Sequence, residues 1–150
     1  MLKETTLHQF LLDKGYAKVK LHLTKTNHFE IKATINGHKG LFILDTGASN
    51  SCVGFDSANR FNLKVKHSDT MAAGAGAVNM ETKISNKNKI KIGKWRQDKL
   101  VLVLFNLSHV NTALTNHNSK SVDGIIGADI LKSAEAVIDY KARYLYLKLE

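Results

Sequence analysis

"FILDTGASNS", residues 42–51, sets a lone carboxylate, Asp45, between an apolar run and a stretch of small polar residues. The run Leu41-Phe42-Ile43-Leu44 has strand length and no polar alternate position, so it predicts a strand buried on both faces. It stops at Asp45-Thr46-Gly47-Ala48-Ser49, where the chain turns, and so delivers an acid to the edge of the core. Taken alone, those residues fit two uses. Asp45 either bonds the following backbone in an Asx-type turn or is presented for chemistry.

A second element lies far downstream in "VDGIIGADIL", residues 122–131, where two branched apolar residues precede a glycine and a short helical pattern. Apolar-apolar-Asp-Thr-Gly-Ala-Ser together with Ile125-Ile126-Gly127-Ala128-Asp129-Ile130-Leu131 resembles the retropepsin-like aspartic proteases, including their bacterial relatives. The resemblance spans roughly residues 28–149. It implies a mostly β fold: a closed, barrel-like half with a flap hairpin and a short C-terminal helix. In that family the Ile125-Ile126-Gly127 strand passes beside the Asp-Thr-Gly loop and holds it rigid. Asp45 would be the acid/base, Thr46 would bond across to a second chain's loop, and Gly47 would supply backbone contacts near the carboxylate. Ala48 stands where many pepsin-like relatives carry a hydroxyl donor, and Ala128 stands where viral members carry an arginine that supports their dimer.

Between the two motifs lies "MAAGAGAVNM", residues 71–80, at the place of the family's flap, with Ala73, Gly74, Ala75, Gly76 and Ala77 as its substrate-facing tip. Glycines there let a hairpin bend and approach a peptide closely. A nucleotide-binding reading fails, because the third glycine is missing and no strand-to-helix turn follows.

Hydrolysis of a peptide without a metal or a covalent intermediate needs one carboxylate to deprotonate water and one carboxylic acid to polarise the carbonyl. Asp-Thr-Gly occurs once. Asp123 precedes Gly124 with no Thr or Ser between them, Asp129 begins a helix where it caps or favours the dipole, and Asp139 falls in a strand. None repeats the loop, so the resemblance implies a homodimer in which each chain supplies Asp45. The expected activity is an aspartic endopeptidase on peptide or protein substrates, with no cofactor and no metal. The alternative is a noncatalytic domain of the same fold that serves dimerisation or peptide binding.

Composition agrees with one compact domain: 150 residues, 43% of them hydrophobic, suffice for a single core. The seven histidines show no metal-site spacing, and the single cysteine, Cys52, has no intrachain partner, which suits a reducing compartment. His8, Gln9 and Asp13 interrupt the apolar residues of the N-terminus, so neither a secretory segment nor a membrane span is expected there. A soluble, cytoplasmic protein is expected. The net charge of +9 is densest over residues 83–99, but in "KIKIGKW" the lysines alternate with Ile90, Ile92 and Trp95, as on a strand with one wet face. Without aromatic residues on that face or a nucleic-acid-binding signature, no nucleic-acid partner is expected.

Along the chain, residues 2–14 carry leucines and Phe10 at helical spacings, with Gly15 placed to end the helix. Residues 1–17 read as a helical extension and 18–150 as the protease-like domain. From Lys18 the period is two, through "KVKLHL" and "FEIKATI", and Asn36-Gly37 signals a hairpin. With no proline in the chain, Gly54, Gly74, Gly76, Gly93 and Gly124 are expected at turns. "LVLVLF", residues 100–105, predicts a buried strand, and the polar stretch 106–121 a long connection. "ADILKSA" predicts the one interior helix, before strands in "AVIDYKARYLYLKL".

Overall fold

The structure, a computed structural model, describes residues 4–67, 72–74 and 77–150, with backbone alone for 72–74 and 77–80. The first helix, α1 (Leu7–Asp13), is shorter than its apolar pattern: Thr6 caps it by accepting the Gln9 amide at 3.1 Å, and Gly15 ends it at φ 88°. Leu11 is its buried residue, while Leu7, Phe10 and Leu12 stay exposed. Strand β1 (Tyr16–Lys20) follows at once, two residues ahead of Lys18, where the alternation becomes legible. Next come β2 (His22–Leu23), β3 (Phe29–Ile35) and β4 (His38–Leu44). Asn36 and Gly37 join β3 to β4 with positive φ at both positions, the two-residue turn whose twist matches a hairpin.

The chain continues through β5 (Cys52–Gly54), a 3-10 turn (Phe55–Ser57), β6 (Val65–His67) and a separate hairpin of β7 (Ala72–Gly74) and β8 (Ala77–Met80). Two long strands, β9 (Lys83–Ile92) and β10 (Trp95–Phe105), then pair across Gly93, which turns at φ 58°. After them come α2 (Ser108–Asn116), β11 (Gly124–Ile126), α3 (Ala128–Ser133), β12 (Val137–Asp139) and β13 (Tyr144–Lys148).

Pairing closes a barrel. The order β3-β4-β11-β5-β10-β9 returns to β3 through Thr34↔Lys91 and Ile35↔Ile90, giving six strands and no open edge in the ring. Its interior holds Phe42, Leu44, Ile90, Ile92, Leu102 and Ile126. On β9 the predicted alternation holds, with Lys89 and Lys91 exposed and Ile90 and Ile92 buried. On β10 burial is one-sided, because Val101 faces outward at 47% exposure. A second sheet, β1-β13-β12, packs Leu145 and Leu147 into the same core.

Two expectations from sequence need correction. Gly54 ends β5 and leads into the 3-10 turn as expected, but Gly124 opens β11 as a paired strand residue and forms no turn. Gly124 is glycine for space, since a Cβ there would fall 2.0 Å from the Cys52 carbonyl oxygen on the neighbouring strand. The stretch 106–121 is not an open connection, since α2 occupies Ser108–Asn116 and raises the α-helices among the described residues to three. Its asparagines and threonines are poor helix formers, and tertiary contacts override them. Leu114 is buried at 3% exposure, and the Asn111 side chain clamps Val122 through both its amide, at 2.7 Å, and its carbonyl, at 3.1 Å.

Candidate active site

Strand β4 is covered on both sides, as its run predicts. Phe42 and Leu44 point into the barrel, and Ile43 joins a second apolar cluster with Cys52, Phe105, Leu107, Leu114, Val122 and Ile125. That second cluster is what α2 covers. Asp45 follows at the strand's end, exposed, with its amide bonded to the Ile126 carbonyl at 2.9 Å. Its Oδ1 accepts the Gly47 amide at 2.9 Å, and the Ala48 amide reaches the Asp45 carbonyl at 3.2 Å. The Asx-type turn is therefore present, and it fixes a carboxylate that remains open to solvent. Thr46, Gly47 and Ser49 are exposed beside it.

The second motif meets this loop. β11 runs parallel to β4 with Ile125 beside Ile43 and Ile126 beside Leu44. At its end the Ala128 amide donates to the Ala48 carbonyl at 2.7 Å. Gly127 passes so close that an added Cβ would lie 2.6 Å from the same oxygen. Its φ of −109° suits any residue, so crowding alone demands glycine.

Sequence reasoning missed what locks the loop's far end. Asp129, placed in the first turn of α3, turns its carboxylate to Ser51, accepting the Ser51 amide at 3.0 Å and the hydroxyl at 2.7 Å. The same hydroxyl accepts the Gly127 amide at 2.9 Å. Nothing in the local pattern around Ser51 announces this bond, which spans two distant segments.

The remaining candidate acids are engaged elsewhere. Asp123 accepts the Leu41 amide and the Ser57 hydroxyl and pairs with Arg60, while Asp139 caps a turn at Ala142. Among the described residues, Asp45 is the one carboxylate lining the adjoining cleft of about 380 Å³. The cleft floor is apolar, built from Ile43, Ile125, Val110, Ala113 and Leu114. Its polar groups besides Asp45 are Thr26, His28, His109 and His117. Three of these floor residues and two of the histidines belong to α2 or its C-terminal cap, the segment whose sequence read as a loop.

Of the flap residues, Ala73 and Gly74 lie in β7 and Ala77 in β8, with Gly74 paired to Ala77 across an antiparallel hairpin. Ala75 and Gly76 lie outside the described residues. Cys52, at 3% exposure, sits in the second cluster. Burial pushes its thiol up to about 12, the charges of Asp129 and Asp45 add to the rise, and a backbone hydrogen bond at Ile125 opposes it. Such a thiol is protonated and unreactive near neutral pH, which disfavours a redox role. Among the described residues no cluster of metal-ligating side chains occurs, and no helix is long and apolar enough to cross a membrane.

Solved structures share this architecture. A retropepsin-like aspartic protease from Rickettsia conorii superposes with a TM-score of 0.58 at 20% identity, covering 89% of this chain and 89% of that one. The protease of EIAV, complexed with the inhibitor HBY-793, gives 0.55 at 22% identity, over 73% of this chain and 90% of that one. The retroviral protease-like domain of Ddi1 from Leishmania major gives 0.54 at 20% identity, over 79% and 86%. No curated protein matches the chain. Residues 31–130 match the family model described as aspartyl protease, an interval that takes in both the Asp45 loop and the Ile125-Ile126-Gly127 strand, and the chain belongs to that family.

Proposed function

We propose that this chain is an aspartic endopeptidase that works as a homodimer, with Asp45 of each protomer flanking one water. The observation that carries this reading is the state of Asp45. It is held by the Gly47 amide, it is solvent-exposed, and it lines a cleft with no second described carboxylate. A lone exposed carboxylate is a poor catalyst for amide hydrolysis. A second copy docked loop to loop would bring two carboxylates together, and at about 3 Å they share one proton because ionising both is too costly.

The chemistry then follows from that shared proton. The ionised Asp45 takes a proton from water while the water oxygen attacks the peptide carbonyl carbon. The protonated partner donates to the carbonyl oxygen, giving a tetrahedral diol. Collapse breaks the C–N bond as the now protonated Asp45 gives its proton to the leaving nitrogen and the ionised partner takes a proton from a diol hydroxyl, which restores the shared-proton pair. In this reading Thr46 ties the two loops together, Gly47 keeps the backbone close to the reacting atoms, and Ala73 to Ala77 form the flap over an extended peptide. The N-terminal residues 1–17 are an extension outside this machinery, and the cytoplasm is the proposed compartment.

The test is a mixing experiment. Asp45→Asn keeps the size and the acceptor for Gly47 but removes the base, so the pure variant should fold and associate normally and hydrolyse nothing. Adding an excess of it to wild type, with time for exchange, should suppress activity as heterodimers form. An unchanged activity after verified subunit exchange would mean the site is complete within one chain. A fully active Asp45→Asn preparation would leave the noncatalytic reading for this loop.

A further inference from the structure

Resting on the protease reading, the cleft carries more information than its carboxylate. Its polar lining gathers three imidazoles beside Asp45 and the Thr26 hydroxyl, each ring offering one N–H donor when neutral and two when charged. The His28 ring is fixed through Nδ1, which contacts the Thr26 hydroxyl at 2.8 Å, and Thr26 is fixed in turn by Thr24 at 2.8 Å. The turn that carries them is closed by the Thr24 amide on the His28 carbonyl at 2.8 Å. This leaves the far ring nitrogen, Nε2, for another partner.

On the other wall, His109, Ala113 and His117 follow one another a turn apart along α2, so they form one stripe with the small Ala113 between the rings. His109 Nε2 is buried without any hydrogen-bond partner, an unusual state for a ring nitrogen that a native fold has reason to avoid. An imidazole donates through at least one nitrogen in either charge state. The floor between the two walls is apolar.

We propose that α2 is the specificity element of this enzyme and that the cleft selects an acidic peptide side chain, glutamate or aspartate, beside the scissile bond. The methylene stem rests on Ile43, Leu114 and Ile125, and the carboxylate accepts from His109, His117 and His28. A carboxylate is the acceptor that satisfies several donors at once. The chain's net charge of +9 favours the approach of such peptides. A purely apolar peptide would leave the ring N–H donors unpaired, and a lysine, which only donates, could not satisfy them.

The experiment uses a series of statine-type inhibitors on the full wild-type chain, identical except for Glu, Gln, Leu or Lys at the positions flanking the statine. Affinities are measured by calorimetry, and kcat/KM by cleavage of the matching peptides. The Glu member should bind and be cleaved at least about tenfold better than the Leu member. In His109→Leu/His117→Leu that ratio should fall to near unity, and His109→Gln/His117→Gln, which keeps a donor at each position, should restore part of it. A general loss of folding would weaken all four members together and leave their ratio unchanged. Equal or better use of Leu by wild type overturns the proposal while leaving the protease reading intact. Selective Glu binding without any hydrolysis keeps the proposal and overturns the protease reading. A wild-type chain that binds no member overturns the proposal.

Discussion

The Ser51 hydroxyl donates to the Asp129 carboxylate at 2.7 Å and accepts the Gly127 amide at 2.9 Å, so one side chain joins the end of the Asp45 loop to the start of α3. Ser51 is fully buried. Ser51→Ala therefore leaves the buried Gly127 amide without its partner and the Asp129 carboxylate with only the Ser51 amide of its two Ser51 donors, an effect of about 1–3 kcal/mol. Thermal unfolding should register that loss, and hydrolysis should drop further than stability because the loop loses one of its anchors. A variant with wild-type melting and wild-type turnover would show that the loop is held without this bond.

Gly127 and Gly47 make a paired prediction. A Cβ on Gly127 meets the backbone oxygen of Ala48 at 2.6 Å, whereas one on Gly47 meets only the Asp45 Oδ1 at 3.3 Å, on a side chain at the surface. Backbone on both sides cannot yield cheaply, so Gly127→Ala should destabilise by about 1–3 kcal/mol as an overpacking change. Gly47→Ala should cost less than half of that. Chemical denaturation of both variants decides it, and equal losses would contradict the crowding argument.

Cys52 gives a pH dependence whose sign can be worked out. Its folded-state value of about 12 lies above the ordinary 9.0, so the folded chain holds the thiol proton that the unfolded chain releases. The corresponding stability is fully present below pH 9.0 and declines as pH rises toward 12, by at most about 1.4 kcal/mol per unit. Because lysines and tyrosines titrate over the same range, the comparison is with Cys52→Ala, whose stability should fall less steeply between about pH 8 and pH 10. Parallel slopes would mean that the thiolate is tolerated in the fold. Alkylation of native wild type should be correspondingly slow near neutral pH.

Strands were legible where one local signal sufficed. The hairpin at Asn36-Gly37, the alternation at Lys89 to Ile92 and the run Phe42 to Leu44 each describe their own burial, because side-chain period and turn chemistry are local properties. The loop and its supporting strand were legible through the resemblance of their two motifs to a known family, and the structure gives the reason for one motif residue, since Gly127 is demanded by a close approach to the Ala48 carbonyl. Helix α2 was not, since Leu114 and the Asn111 clamp on Val122 are rewards that exist only after the chain has folded back on itself. Missing α2 also hid the histidines, which mean little until the helix puts them in one stripe beside Asp45. Ser51 and Asp129 were hidden for the same reason.

The final prediction concerns stoichiometry, and it separates a shared site from a site within one chain. A statine-type inhibitor places its hydroxyl where the tetrahedral intermediate would stand, and such mimics of the transition state bind far more tightly than substrates. If that hydroxyl sits between two Asp45 carboxylates, calorimetric titration should saturate at one inhibitor for two chains. Binding should also raise the melting temperature, by an amount that grows with inhibitor concentration, because only the assembled pair binds. Dilution works in the opposite direction: the exposed Asp45 loop has no described second carboxylate to complete it, so activity per milligram should fall as the dimer dissociates. Ala128, which offers no charge for an ion pair at the loop, leaves the interface to other contacts, so a measurable dissociation constant is expected. One inhibitor per chain, together with concentration-independent activity, would require a second acid from the same chain and would refute the shared site.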